Sequence, residues 1–437
     1  MDASAKRRAW IILLWIFVFI AGFIAFALKP YTELPLYLLA GERIQKGEPI
    51  YRGDERAFAY PAFFTLPFVP MTWLPAPVQR PVWYVINFAA LAVIGIRLHR
   101  RIAPIMTPGS RTWLFWSVVA LLAGRHVLAV LENQSHDLLV FLCAFLAIDA
   151  LCASRGKTAG ALAGLGAALK ATPLLFAPVF LWQRRWAAFA CLSVVVLVAS
   201  FLPDLLYPAK DGVSWNVSYY RAYLHKAQPG ESASSAAWQA WNQLNQSVAG
   251  TCYRLFTPPA EDPDRYDVSV ATLGHNPLKL MTLGCQLAAL AWLLWVTRPR
   301  LTRPLIGDEL AFARLGEGAA ILTAMVLLSP TSIKTHFCVL LVPIAYCLAD
   351  FLYRRRDPLV GVALAVSFVL GTLTVKGIVS KELGDRIMAY GTVTGCAIAL
   401  YWATGRVLLQ RSRMAASQEE TVQVMKEGPL NAARPAA

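Results

Sequence analysis

Charge is what this sequence has least of. Asp, Glu, Lys and Arg make up 15% of the 437 residues, where an ordinary soluble domain carries about 25%. Acidic residues are scarcer still, 26 against 41 basic ones, for a net charge of +15. The alternation of apolar and polar residues that a membrane barrel requires is missing. The eight cysteines (143, 152, 191, 252, 285, 338, 347 and 396) lie mostly inside apolar runs with no CxxC spacing, which argues against a disulfide framework or a metal site. His99, His126, His225 and His275 have no ligand spacing, so no metal and no cofactor is expected. An internal repeat of the transporter sort is also lacking.

What fills the chain is apolar: 57% of residues are hydrophobic, in runs close to the ~20 residues that cross a hydrocarbon core. An all-α polytopic membrane protein follows. The positive balance in a soluble protein would point to nucleic acid. Here the basic residues sit in short loops between apolar runs, where they set orientation, so no nucleic-acid partner is expected. Lys6, Arg7 and Arg8 precede a long apolar run without a small-residue cleavage site, the pattern of a signal anchor, and place the N-terminus in the cytoplasm.

Spans are expected near 9–29, 82–98, 112–130, 137–153, 187–203, 277–297, 317–331, 337–352, 358–376 and 387–408. Residues 61–77 hold five prolines, at 61, 67, 70, 75 and 77. Each costs about 3 kcal/mol inside a helix, so this piece is expected to be interfacial or re-entrant. Residues 159–182 are flanked by basic residues at both ends, which predicts a hairpin of two short helices broken at Lys170-Ala171-Thr172-Pro173, since Pro173 disfavours helix at Thr172. The sum is about 12 membrane segments, ten of them full spans, with both termini cytoplasmic. A single membrane domain at 1–410 carries outer loops at 30–81 and 204–276, and a disordered cytoplasmic tail follows at 411–437. Short amphipathic helices are expected near 215–226 and 236–256.

Polar groups at membrane depth are costly and default to functional hypotheses. In this topology several gather on the outer side: Glu33 with its neighbours, Asn133-Gln134-Ser135-His136-Asp137, Lys170, and Lys334 with His336. The second outer loop adds Asn245, Gln246 and Arg254. A carboxylate, lysines and a histidine facing one cavity would suit transfer from a phosphorylated donor. The carboxylate activates a hydroxyl and the cations neutralise a leaving phosphate. Each residue also has a plainer reading: Glu33 as a solvated loop residue, Asn133 and Gln134 as linkers of helices, and Asp137 and His336 as residues that start helices. Lys170 is the sharpest signal, because a lone lysine inside an apolar run needs an anionic partner or a wet cavity.

At these residues the chain resembles a known family, the bacterial polyprenyl-phosphate-mannose-dependent glycosyltransferases of family 87, in the GT-C superfamily. The resemblance runs from about residue 10 to 400. It rests on Glu33, Tyr37, Ala40-Gly41, Gly47 and Tyr51 after the first span, then Tyr60-Pro61, Asn133-Gln134-Ser135-His136, and Gly160, Gly164, Gly166, Lys170 and Pro173. Asn245-Gln246-Ser247 with Arg254, and Ser329-Pro330 with His336, complete it. The family usually has Asp where Glu33 stands and a Gly-Gln-x-Asn pattern where this chain has Asn133 to His136.

The resemblance implies a GT-C fold with interfacial helices in the first outer loop. It also implies an inverting, metal-independent hexosyl transfer, of mannose most of all, on the outer face of the inner (cytoplasmic) membrane. The donor would be a polyprenyl-phosphate sugar and the acceptor a lipid or glycan. Glu33 would be the catalytic base. Tyr37, Asn133, Gln134, His136, Lys170, Asn245, Gln246, Arg254, Lys334 and His336 would bind substrate. The alternative from another class is a translocase of lipid-linked sugars without transfer chemistry.

Overall fold

The computed structural model describes residues 16–17, 19–27, 33–51, 58–107, 109, 111–226, 230–231, 239–258, 266–302, 305–374 and 378–427. Helices dominate them, and no strand occurs among the described residues. About half of the segment expected to form the first span, residues 9–15, 18 and 28–29, lies outside them, and its described part ends in a π-helical turn at Phe23–Ala27. The helices are α1 (Leu34–Gln45), α2 (Ala76–Ile102), α3 (Thr112–Asn133), α4 (Asp137–Cys152), α5 (Gly156–Leu169), α6 (Phe176–Trp182), α7 (Trp186–Leu206) and α8 (Trp215–Ala222). They continue with α9 (Val248–Phe256), α10 (His275–Val296), α11 (Gly307–Leu328), α12 (Leu341–Asp350), α13 (Pro358–Phe368), α14 (Lys381–Ala389) and α15 (Thr392–Glu427).

Among the described residues, seven helical segments are long and apolar enough to cross a membrane: Ala76–Ile105, Thr112–Asn133, Trp186–Leu206, His275–Val296, Gly307–Leu328, Lys334–Arg355 and Thr392–Arg411. They fit a multi-pass membrane protein. The proline-rich piece is a 3-10 helix, Ala62–Phe68, running into Val69–Thr72, and it is separate from α2. The hairpin forms as α5 followed by a 3-10 turn, Thr172–Leu175, and α6. Two expectations shift. Of the helix expected at 236–256, residues 236–238 lie outside the described residues, 239–247 is turns and bends, and the helix runs Val248–Phe256. The backbone of α15 continues to Glu427, past the start of the expected tail.

Burial sorts the helices. Most residues of α4 and α11 and every residue of α12 are buried, so these three form the centre. By contrast α7 and α10 bury few residues, and their exposed Val194, Leu197, Phe201 and Leu287 suit a hydrocarbon surround. Packing of α5 on α7 uses small residues. A Cβ on Gly160 would meet the Ala188 carbonyl oxygen at 2.0 Å, and one on Gly164 the Leu192 oxygen at 2.8 Å. This is the close approach that glycines four residues apart allow within a bilayer.

The bundle has two chemically different ends. At one end lie the α2–α3, α4–α5 and α6–α7 turns and the ends of α10 and α12. Here arginines are tied down by ion pairs: Arg97 and Arg101 to Asp149, Arg185 to Glu317, and Arg411 to Asp350 and Glu309. The other end carries α1, the α3–α4 turn, the tip of the hairpin and the start of the 3-10 helix Lys334–Leu340.

Candidate active site

The α3–α4 turn is the anchor. Gln134 ends α3 in the left-handed region (φ 51°, ψ 36°). Its N–H donates to Leu131 O (3.1 Å), and the Ser135 N–H donates to Val130 O (3.0 Å), a pair of bonds that closes the helix end. From α2, the Trp83 indole N–H donates to Gln134 O at 2.7 Å. The turn therefore presents Ser135, His136 and Asp137 in fixed positions, all three buried.

Glu33 meets this turn through the backbone: its N–H donates to Asn133 O at 3.1 Å. It starts α1, whose Leu34, Tyr37, Gly41 and Ile44 form one buried face. Gly41 lets α1 approach the Ala62–Phe68 segment, since a Cβ there would sit 3.2 Å from the Phe68 carbonyl carbon. One turn along α1, the Tyr37 hydroxyl donates to the Glu33 carboxylate, and the same oxygen lies 2.9 Å from His136 Nδ1. The tyrosine has a single hydroxyl proton, so His136 carries its own proton on Nδ1 and donates it to Tyr37. Glu33, Tyr37 and His136 thus form one hydrogen-bonded chain. The imidazole is boxed by the rings of Tyr37, Tyr60 and Phe64, with centroids at 5.3, 4.5 and 4.6 Å. Its buried Nε2 has no hydrogen-bond partner among the described residues.

Asp137, at the first turn of α4, is the second carboxylate. Lys170 ends α5 in an extended conformation (φ −157°, ψ 131°), and its Nζ donates to Asp137 Oδ1 at 2.6 Å. The Ser135 hydroxyl donates to Asp137 Oδ2 at 2.9 Å. His336 Nε2 lies 4.0 Å from that oxygen, while His336 Nδ1 accepts the Ile333 N–H at 3.3 Å. This assigns the His336 proton to Nε2, on the Asp137 side. A cavity of about 20 Å³ lies against Asp137, Lys170 and His336, about the volume that holds one water.

Burial pushes the Glu33 carboxyl above its ordinary range, and the Asp137 charge adds to this. The hydrogen bond from Tyr37 and the Lys170 charge pull it back. Burial above all drives His136 down to about 3, so this ring is neutral. A carboxylate with raised basicity, bonded through a tyrosine to a neutral imidazole, can accept a proton from a hydroxyl.

Five of the expected residues therefore share one cluster: Glu33, Tyr37, His136, Lys170 and His336. The others are elsewhere. The Asn133 side chain donates back to Ala129 O in its own helix at 2.7 Å. Gln134 contributes its backbone. Lys334 lines a separate cavity with Arg125, His126, Thr374 and Thr392. Asn245, Gln246 and Arg254 are fully buried and hold the backbone together. Arg254 donates to the carbonyls of Ala389 (2.8 Å), Asn242 (2.9 Å) and Asn245 (2.7 Å). Gln246 donates to Met388 O at 2.8 Å and accepts from the Val393 N–H at 3.2 Å. Asn245 Oδ1 accepts the Ser247 N–H.

Ser135 and Asp137, grouped in the sequence with the polar residues of the outer side but given no substrate or catalytic role there, also belong to the cluster, as does Tyr60. The signal for Asp137 was available: a lysine inside an apolar run requires an anion, and Asp137 is an acidic residue at the same end of the bundle.

A bundle of apolar helices with two carboxylates, a lysine and two imidazoles buried at one end is the class of a membrane protein built for polar chemistry at its edge. The model of glycosyltransferase family 87 matches residues 58–330, and the chain belongs to that family. Glu33, Tyr37, Lys334 and His336 fall outside the matched segment, yet three of them pack onto its His136, Asp137 and Lys170.

Among curated proteins the chain is similar to the polyprenol-phosphate-mannose-dependent α-(1-2)-phosphatidylinositol pentamannoside mannosyltransferase of Mycolicibacterium smegmatis. The two are 27% identical over 287 residues, 66% of this chain and 60% of that protein. It is also similar to the polyprenol-phosphate-mannose-dependent α-(1-2)-phosphatidylinositol mannoside mannosyltransferases of M. smegmatis, at 23% over 75% of this chain and 72% of the relative, and of Mycobacterium tuberculosis, at 24% over 85% and 82%. The chain spans 60% of the length of the first of these relatives.

Proposed function

We propose that this protein is a membrane glycosyltransferase of GT-C architecture, a single membrane domain of about twelve membrane segments. It moves mannose from a polyprenyl-phosphate donor to a hydroxyl of a lipid-anchored or glycan acceptor on the outer face of the cytoplasmic membrane. The observation that carries this reading is the buried chain of Glu33, Tyr37 and His136 set beside the Asp137–Lys170 pair. The names of the family relatives support the donor. The side follows from the other end of the bundle, where Arg97, Arg100, Arg101, Arg155, Arg184, Arg185 and Arg354 to Arg356 gather. Basic loops stay cytoplasmic, so the Glu33 end faces outward and both termini are cytoplasmic.

Glu33 takes the proton of the acceptor hydroxyl. The acceptor oxygen attacks the anomeric carbon from the face opposite the phosphate, the bond from that carbon to the phosphate oxygen breaks, and polyprenyl phosphate leaves with the electron pair. Configuration inverts. Lys170 and the Nε2 proton of His336 face the leaving phosphate, and Lys334 in the neighbouring cavity adds positive charge; such fixed cations stabilise charge as it develops. Tyr37 holds the Glu33 carboxylate, and neutral His136 holds Tyr37. Asn245, Gln246 and Arg254 act on the site only through the backbone that they fasten.

The test is transfer in detergent, where no membrane separates radiolabelled polyprenyl-phosphate mannose from an extract of host lipids. Label entering a new lipid is the expected result. A translocase gives none, however many polyprenyl-phosphate sugars are offered.

A further inference from the structure

A second polar cavity lies at the Glu33 end of the bundle, outside the cluster just described. It has a volume of about 260 Å³ and is lined by Pro49, Ile50 and Tyr51 after α1 and by Asp211, Trp215, Ser218 and Arg221 on and before α8. The two walls are joined by the Lys210 N–H, which donates to Gly47 O at 2.9 Å. Gly47 is in the left-handed region (φ 64°), and a Cβ there would lie 2.8 Å from the Pro208 carbonyl oxygen. Both walls are held by hydrogen bonds and ring packing. Trp215 is buried and donates its indole N–H to Tyr207 O and its backbone N–H to Asp204, both at 2.8 Å. Tyr51 packs between the rings of Tyr219 and Tyr223 at 5.5 and 6.0 Å.

The lining has bonding capacity to spare. Arg221 makes no hydrogen bond or ion pair among the described residues, and the same holds for the Ser218 hydroxyl. Asp211 uses Oδ1 for the Val213 N–H and keeps Oδ2. One cation and one anion face the same space. An anionic ligand would meet Asp211 and a cationic one Arg221. A neutral polyol satisfies both, donating hydroxyl protons to the carboxylate and accepting from the guanidinium. Sites for drug-sized ligands run to roughly 300–1,000 Å³, so this one suits a single sugar unit.

It is also wired to the cluster. The Tyr51 hydroxyl donates to Tyr60 O at 3.0 Å, and the Tyr60 ring stacks edge-on to His136. We infer that this cavity binds a neutral hexose unit of the acceptor's glycan, remote from the hydroxyl that reacts. The inference deepens the proposed function and rests on it for the word acceptor; the sugar site itself does not.

Two measurements on the detergent-solubilised full chain separate these. Saturation-transfer NMR with mannotriose reads the sugar site directly, in wild type, Arg221→Ala, Asp211→Asn and Glu33→Gln. Arg221 and Asp211 are exposed, so both variants keep the fold, which size-exclusion chromatography checks. Binding in wild type and Glu33→Gln, weakened about tenfold or more by Arg221→Ala and Asp211→Asn as for a lost charged hydrogen bond, is the expected result. Equal binding in all four, or no binding in wild type, overturns the inference. The transfer assay run beside it should show a raised acceptor KM in Arg221→Ala with kcat and donor KM unchanged. Transfer with an unchanged acceptor KM sinks the cavity's role and leaves the enzyme. Mannotriose binding that depends on Arg221, without any transfer, keeps the sugar site and sinks the enzyme.

Discussion

Tyr37 is the residue on which the state of Glu33 depends most visibly. Its hydroxyl donates to the Glu33 carboxylate and so favours the charged form. Removing that hydroxyl leaves burial and the Asp137 charge less opposed, and both push the Glu33 pKa up. In Tyr37→Phe, then, the acid limb of the kcat/KM profile should move to higher pH, because the charged carboxylate loses a hydrogen bond that favours it. Activity at high pH should fall less than activity at low pH. A pH profile of the variant measures this, and a limb that stays put or moves down would contradict it. Much of this cluster was legible in the sequence. Glu33, Lys170 and His336 announce themselves as polar groups beside apolar runs. That Lys170 needs an anion was legible too, but not that Asp137 is the carboxylate it touches, because their spacing of 33 residues does not select it over the other acidic residues of the outer side.

Among the elements, the α5–α7 contact and the segment around α9 carry the clearest expectations. Gly160→Val places side-chain atoms where Ala188 O already lies. Overpacking of this kind costs about 1–3 kcal/mol or more, and a lower melting temperature in detergent should follow. Lys170 ends α5, so transfer should fall with it. Gly156→Ala, where a Cβ meets nothing within 4 Å, should leave both unchanged.

Arg254→Ala strips donors from the carbonyls of Ala389, Asn242 and Asn245. Each buried acceptor left unpaired costs about 1–3 kcal/mol. Loss of thermal stability with donor KM unchanged in the surviving fraction is the expected outcome. A fold as stable as wild type with a raised donor KM would instead mark Arg254 as a substrate ligand. These backbone bonds were not legible in the sequence for a physical reason: buried arginine and glutamine bonded to backbone have the same composition as a ligand-binding loop, and their partners, Ala389 and Met388, lie more than 130 residues away. The hairpin at Lys170 was readable because proline acts locally.

For the whole molecule, the two ends of the bundle differ in charge, and the proposed orientation follows from that difference. Apolar run lengths and loop charges carried most of the architecture, because a bilayer leaves a chain few choices. Ser218→Cys and Arg111→Cys place a thiol at either end, on exposed or half-exposed positions. In intact cells a membrane-impermeant maleimide should label the first and spare the second, against the background of the native cysteines. Reversed labelling would put the Glu33 cluster in the cytoplasm and remove the outer-leaflet donor from consideration.

The most direct test of the catalytic reading is transfer by Glu33→Gln beside Glu33→Asp and wild type, with melting temperature recorded for all three. A buried carboxyl with a raised pKa stabilises the fold only while protonated, and that contribution is lost as pH rises through the folded value. At neutral pH the Glu33→Gln protein should therefore melt no lower than wild type. Its transfer should fall by at least the roughly 10²–10⁴-fold that general base catalysis supplies, while the Glu33→Asp protein retains part of the rate. A well-folded Glu33→Gln protein that transfers mannose at the wild-type rate would contradict the role assigned to Glu33.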